Sequence, residues 1–273
     1  MPPMTSKQFC EQQVKRYDYD RFFSTTLAST RTRRALIALF AFNIEVSSIV
    51  EKVTEPTIRY MRLQWWSDTL EETYEGKTRK HPVAEELAAV INDFNIEKEL
   101  LRQIVEARNI DLSDEAPSDV DNLIQYAAAT GGNLCNVSQK ICQSDSNSVG
   151  SIHLGTAWSL LGLLRSIPIH AYQRRIYVPQ DILDRSNVTE KELIENPLNV
   201  DLKLVVNEFA KLIINETNKA GLVDKKIRPA LAYTALIKPL LARIQKTNSL
   251  DNNGITRLMG QILMLRFNFR GTL

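Results

Sequence analysis

The stretch ALIALFAFNIEVSSIVEKV, residues 35–53, is apolar nearly all the way round a helix. Such a helix must be enclosed by other helices, because one lying on a surface carries a single apolar stripe. Elsewhere the apolar residues recur at three and four rather than two, and ten glycines and ten prolines in 273 residues leave few breaks. The spacing predicts helices at 6–18, 31–53, 55–75, 82–94, 97–110, 118–143, 147–166, 201–221, 226–247 and 254–269. Turn chemistry separates them at EPT (55), EGKTRKHP (75–82), DEAPSD (114–119) and NNG (252–254). Residues 174–200 read as irregular, with a short extended RIYVP and then two short helical pieces. No break is long or polar enough for a linker and no repeat is present, so the expectation is one all-α domain over 1–273.

Composition narrows the function classes. Lysine plus arginine (34) exceeds aspartate plus glutamate (32) by two, so no global field favours nucleic acid. Cys10, Cys135 and Cys142 form no CxxC, and with only His81, His153 and His170 scattered elsewhere they make no zinc set; reduced structural thiols are expected. The longest apolar run, SIHLGTAWSLLGLLRSIPIH (151–170), contains His153, Arg165 and Pro168 and reads as a core helix rather than a membrane span. The first residues, MPPMTSKQFCEQQ, have neither a secretory apolar run nor an arginine-rich presequence. The expected compartment is a bacterial cytoplasm.

The polar residues inside the all-round apolar segment need a reason. Residues four apart share a helix face, so Ser47 and Glu51 point into one space with Ser48 beside them. The plain alternative is that the serines bond carbonyls of their own helix and Glu51 is wet near the helix end.

The segments LIALFAFNIEVSSIVEKVTEP and YMRLQWWSDTLEETYEGKTRKHPVAEEL, with LLGLLRSIPIHAYQRRIYVPQDIL further on, resemble the squalene/phytoene synthase family over residues 17 to 245. The resemblance implies an isoprenoid-synthase-like helical bundle around a central cavity. It also implies head-to-head condensation of two prenyl diphosphates, in which two DxxxD motifs hold magnesium against the leaving diphosphate. Magnesium takes hard oxygen ligands, chiefly carboxylates and substrate phosphates, and stabilises the charge that develops on departure.

Set on that pattern, the first DxxxD falls on Ser47 and Glu51, with Ser48 at the neighbouring aspartate. The second falls on Ser166 and His170, with Gly162 at the usual asparagine. Only Glu51 keeps a carboxylate, so these six positions are expected to be vestigial, with no metal held, no catalytic residue and no cofactor. Magnesium would enter only if the chain were an active synthase. Arg165, Arg175, Tyr177 and Pro179 stand where the family has its arginines and YLP. Asn43, Glu45, Glu55, Ile58, Met61, Arg62, Gln64 and Trp66, with the later LLRSIPIHAYQRRIYVP, are similar to the branch containing the mitochondrial assembly factor for respiratory complex I and its bacterial relatives. That likeness implies a non-catalytic role with a complex I subunit or assembly intermediate as partner. The competing readings are a magnesium-dependent head-to-head prenyltransferase and a prenyl-lipid-binding protein.

Around these motifs the residues carry further expectations. Glu45, Arg59, Arg62 and Arg165 read as one charged cavity lining, and Arg62, Arg165, Arg175 and Tyr177 as candidate phosphate contacts. Trp65 and Trp66 are adjacent, so at most one faces the cavity. His170 reads as a helix-end contact, and RTRRA (31–35) as a solvated basic face. RLMGQILMLRFNFRGTL at the C-terminus is amphipathic and basic, so it either covers the bundle or rests on an anionic membrane, peripheral to the inner membrane.

Overall fold

The computed structural model describes residues 3–113, 116–143, 149–197, 200–247, 250 and 255–273, and among these the regular structure is helical, with no strand. Helix α1 (Ser6–Tyr17) starts at a capping box in which Thr5 and Gln8 bond each other's backbone N–H. Asp18 ends it and caps α2 (Tyr19–Thr25), a short helix that the apolar spacing does not predict. Ser29 caps α3 (Thr30–Ser47), the helix that forms the centre of the bundle. Leu36, Leu39, Phe40 and Phe42 are fully buried there, each stabilising the fold by roughly 1.5–3 kcal/mol. At its wet end Arg34 pairs with Glu86 and Arg33 with Glu11, while Arg31 lies over the Phe94 ring.

The segment expected as one helix over 31–53 is broken at Ser48, after which α4 (Ile49–Lys52) continues. Glu55 caps α5 (Pro56–Tyr74), and α6 (Pro82–Phe94) and α7 (Lys98–Ala107) follow. The segment expected over 118–143 is α8 (Val120–Ala127), a five-residue π turn Ala128–Gly132, and α9 (Asn133–Ile141). The long apolar run is α10 (Val149–Arg165), and Ser166 separates it from α11 (Ile167–Tyr172). The two short helical pieces are α12 (Gln180–Ser186) and α13 (Glu190–Glu195). The stretch RIYVP before them lies against the core without pairing as a strand. Then come α14 (Lys203–Lys219), α15 (Arg228–Leu231), a 3-10 turn Ala232–Leu236, α16 (Ile237–Thr247) and α17 (Arg257–Arg270). The NNG turn, the first residues of DEAPSD and residues 147–148 of the helix expected over 147–166 lie outside the described residues.

Buried apolar residues from Cys10 to Phe267 form one continuous core. At its centre the Arg21 guanidinium lies 4.8 Å from the Tyr233 ring and 5.5 Å from Phe40, paired with Asp18 at 2.6 Å. The ring of Trp158 meets Tyr233 at 5.1 Å and the Cys135 thiol meets its hydroxyl at 3.0 Å. All three cysteines are free thiols.

Candidate functional site

Both motif segments sit at joints between helices, for different reasons. Ser48 donates from its hydroxyl to the Ile44 carbonyl at 2.6 Å, and Ser47 makes a longer bond of 3.4 Å to the same oxygen. A serine bonded back to its own helix bends it, and Ser48 sits at φ −92°, ψ 4° between α3 and α4. In the second segment Pro168 has no N–H to give the preceding turn, so α10 stops at Arg165 and Ser166 takes nearly the same conformation, φ −92°, ψ 2°. Glu51 is exposed. Gly162 faces open space, with no atom within 4 Å of where a Cβ would stand, so packing does not require glycine there.

His170 is the one polar replacement drawn inward. Its ring lies 4.6 Å from that of Tyr177, and its buried Nδ1 has no hydrogen-bond partner. Burial, helped by the Arg175 charge, pushes its pKa from 6.5 down to about 4, so the imidazole is neutral at neutral pH. Two serines bonded to a carbonyl of their own helix, a third serine at a helix joint, a glycine, one exposed glutamate and one neutral imidazole are not the oxygen set magnesium takes. The motif positions therefore do not fit the metal cluster of the synthases. Among the described residues, no three of His, Cys, Asp and Glu gather as metal ligands elsewhere.

The His170 shift has a measurable consequence. Above pH 6.5 both folded and unfolded chains hold the ring neutral and the full stability is present. As pH falls from 6.5 toward 4 only the unfolded chain binds the proton, so stability is lost through that window, by roughly 3 kcal/mol in all. Urea unfolding at neutral and at mildly acid pH, compared between the natural chain and His170→Asn, should show a steeper acid loss in the natural chain. Parallel losses would mean that the ring is solvated.

The charged residues expected to share one lining are divided between places. Glu45 and Arg62 border a 260 Å³ pocket open to solvent, with Ile49, Lys52, Trp65, Trp66 and His81. Both tryptophans face this pocket, their rings 5.0 Å apart and each 5.4 Å from His81, because the imidazole that caps α6 reaches across both. The first two turns of α5 stand in solvent beside it, with Ile58 45% and Met61 62% exposed on the face that carries Arg62 and Trp65. Arg59 is turned away, donating to the Val53 carbonyl at 2.7 Å.

Arg165 lines a different cavity, of 130 Å³, with Tyr19, Asp20 and Arg257. Burial lowers the Arg165 pKa and raises that of Asp20, and each charge offsets part of the other's shift. Sequence reading missed Asp20, for which the YDYD run was the available signal, and set Arg257 on the basic C-terminal helix without this cavity.

Arg175 and Tyr177 are buried in a third place, built around Asp111, which the sequence reading also missed. The hydroxyls of Tyr126 and Tyr177 both donate to Asp111 Oδ1, at 2.7 and 2.8 Å. Arg108 donates to Tyr126 at 2.7 Å and Arg175 to Tyr177 at 3.2 Å. Burial first, and the Asp111 charge with it, push both phenols far above their usual range. No local pattern marks the group, because its members come from distant parts of the chain.

A helical bundle of isoprenoid-synthase type, with both motif helices broken where diphosphate-binding carboxylates would stand, is the class defined by this fold and site. A solved dehydrosqualene synthase has the same fold, with a TM-score of 0.83 at 18% identity over 96% of this chain and 94% of that one. The squalene/phytoene synthase family model matches residues 14–258, and the chain belongs to that family. Among curated relatives it is 26% identical to NADH dehydrogenase (ubiquinone) complex I, assembly factor 6 of Bos taurus, over 88% of this chain and 74% of the relative. It is 30% identical to the homolog of that factor in Drosophila melanogaster, over 88% and 76%.

Proposed function

We propose that this chain acts without catalysis in the assembly of respiratory complex I, at the face of the membrane that holds the complex, and meets a protein partner through the pocket beside α5. The observation that carries the reading is a separation of features. The motif positions hold one exposed carboxylate, while Glu45, Arg62 and Trp66, residues of the assembly-factor likeness, converge on a solvent-facing pocket. Exposed Ile58 and Met61 continue that face, and an apolar patch rimmed by charge is what protein interfaces use. The similarity to assembly factor 6 in cattle and fly supports the same reading.

The purified protein is expected to release no pyrophosphate from farnesyl or geranylgeranyl diphosphate with magnesium. In cells lacking the native gene, the natural chain and a Ser47→Ala, Glu51→Ala variant should both restore complex I. A variant with Arg62→Glu and Trp65→Ala should fail, losing on the order of tenfold in assembled complex, as truncated interface anchors do. Pyrophosphate release by the natural chain would return it to isoprenoid synthesis. Full rescue by the α5 variant would remove the pocket from the function.

A second reading, a prenyl diphosphate held without turnover, is favoured by Arg165 and Arg257 lining one cavity. Guanidinium groups bind phosphate oxygens without metal. Isothermal titration with farnesyl diphosphate in chelator distinguishes it, since binding there would be lost in Arg257→Ala.

A further inference from the structure

Helix α17 is apolar on two opposite faces. Gly260, Met264 and Phe267 are buried against the bundle. At 100° per residue, Leu258, Ile262, Leu265 and Phe269 fall within a narrow stripe on the opposite side, and they are 67%, 43%, 40% and 80% exposed. The usual surface helix carries charged and polar residues there. Here Arg266 and Arg270 lie along one edge of the stripe and the uncharged Gln261 and Asn268 along the other, while Arg257 turns inward over the Tyr19 ring. The helix contains no aspartate or glutamate.

The stripe continues past the helix end. The Val223 N–H donates to the Gly271 carbonyl at 3.0 Å, which sets Leu222, 71% exposed, beside the C-terminus of α17. Arg228 adds its charge at the same end, donating to the Phe269 carbonyl at 2.7 Å. The outward stripe from Leu258 to Phe269 runs about 16 Å. No described helix is long and apolar enough to cross a membrane.

We propose that α17 docks the chain on an anionic lipid surface, with Leu258, Ile262, Leu265 and Phe269 entering the interface and Arg266 and Arg270 meeting the headgroups. A single stripe one side chain wide, on a helix whose charged residues are all cations, suits a flat negatively charged boundary into which apolar side chains sink. A second copy is disfavoured by the same pattern, since a two-fold pairing of this face would bring arginines against arginines. The docking does not depend on what the pocket beside α5 binds.

The test is flotation of the full chain with vesicles of phosphatidylcholine alone and of phosphatidylcholine mixed with phosphatidylglycerol. The natural chain should float with the mixed vesicles only, and added salt should weaken it. Each arginine near an anionic surface is worth roughly fivefold in affinity, so Arg266→Gln with Arg270→Gln should lose about 25-fold. Ile262→Ser, Leu265→Ser and Phe269→Ser together should abolish flotation with the helical circular dichroism and unfolding midpoint retained, since these side chains touch little of the core. Phe269→Trp should shift its emission to the blue with the mixed vesicles. A folded natural chain that stays in the soluble fraction overturns the proposal, as does a triple-serine variant that floats like the natural chain. A natural chain that sediments as a dimer and ignores vesicles, with the triple variant monomeric, would overturn it in favour of a self-interface.

Discussion

Replacing Asp111 with alanine is expected to lower the unfolding free energy by about 3–5 kcal/mol, the range for removing one partner from a buried charged pair. Asp111 is buried in the 3-10 turn Ile110–Leu112 that follows α7, and its Oδ1 accepts hydrogen bonds from two tyrosines that are themselves buried. Its other oxygen faces Arg108 at 3.4 Å, a guanidinium whose side chain is only 14% exposed. Alanine would leave two phenol hydroxyls and one cation facing a void without their shared acceptor. Each group would keep its desolvation cost without its partner. Asp111→Asn should fall between, because an amide oxygen still accepts from a tyrosine but no longer balances Arg108. Tyr126→Phe and Tyr177→Phe should each cost about 1 kcal/mol, the ordinary worth of a hydrogen bond. Urea unfolding of the four variants gives the comparison. A loss under 1 kcal/mol in Asp111→Ala would show that the arginines and tyrosines find other partners, and the group would not be a fixed buried unit. This network also holds the RIYVP stretch, because Tyr177 anchors it across 66 residues of chain to Asp111. Arg108 and Arg175 are thereby engaged with tyrosines, which separates them from the open pocket beside α5.

The parts legible in the sequence were those set by local periodicity or by motif. The all-round apolar run did become the buried centre, and most other helices followed their spacing. The break at Ser166 could be read from Pro168, whereas the break at Ser48 depends on a hydroxyl choosing the Ile44 carbonyl, which no spacing records. Helix α2 was missed because its residues have no apolar repeat; it is held by Asp18 at one end and by the buried Arg21 on its face. Glu45 stands on α3 and Arg165 on α10, so no periodicity relates their directions, and their division between two pockets follows only from how those helices pack. The Asp111 group was beyond reach, because its partners lie 15 and 66 residues away and meet only after the helices pack.

Adding one methyl group at Gly155 should destabilise the fold by about 3 kcal/mol, the upper range for overpacking a core, even though alanine is the better helix former by about 1 kcal/mol. A Cβ at Gly155 would stand 2.1 Å from the Gly131 carbonyl oxygen and 2.7 Å from its carbon, and a Cβ at Gly131 would stand 2.5 Å from the Gly155 oxygen. These are backbone atoms on both sides, so no side chain can turn aside; α10 would have to move off the π turn. That movement reaches the centre of the molecule, because the crossing also sets Cys135 against Tyr233 and Trp158 over the same ring, which in turn covers Arg21. Gly162 lies on the same helix with open space around it, and Gly162→Ala should stabilise by about 0.5–1 kcal/mol through helix propensity. The two substitutions are chemically identical and seven residues apart, so opposite signs isolate the contact. Thermal unfolding should place the Gly155→Ala midpoint lower by on the order of 10 °C and the Gly162→Ala midpoint slightly higher. Equal losses at both sites would mean that glycine serves α10 through backbone freedom. A neutral Gly155→Ala would mean that the crossing opens without cost, and the packing that seats Tyr233 over Arg21 would not depend on it.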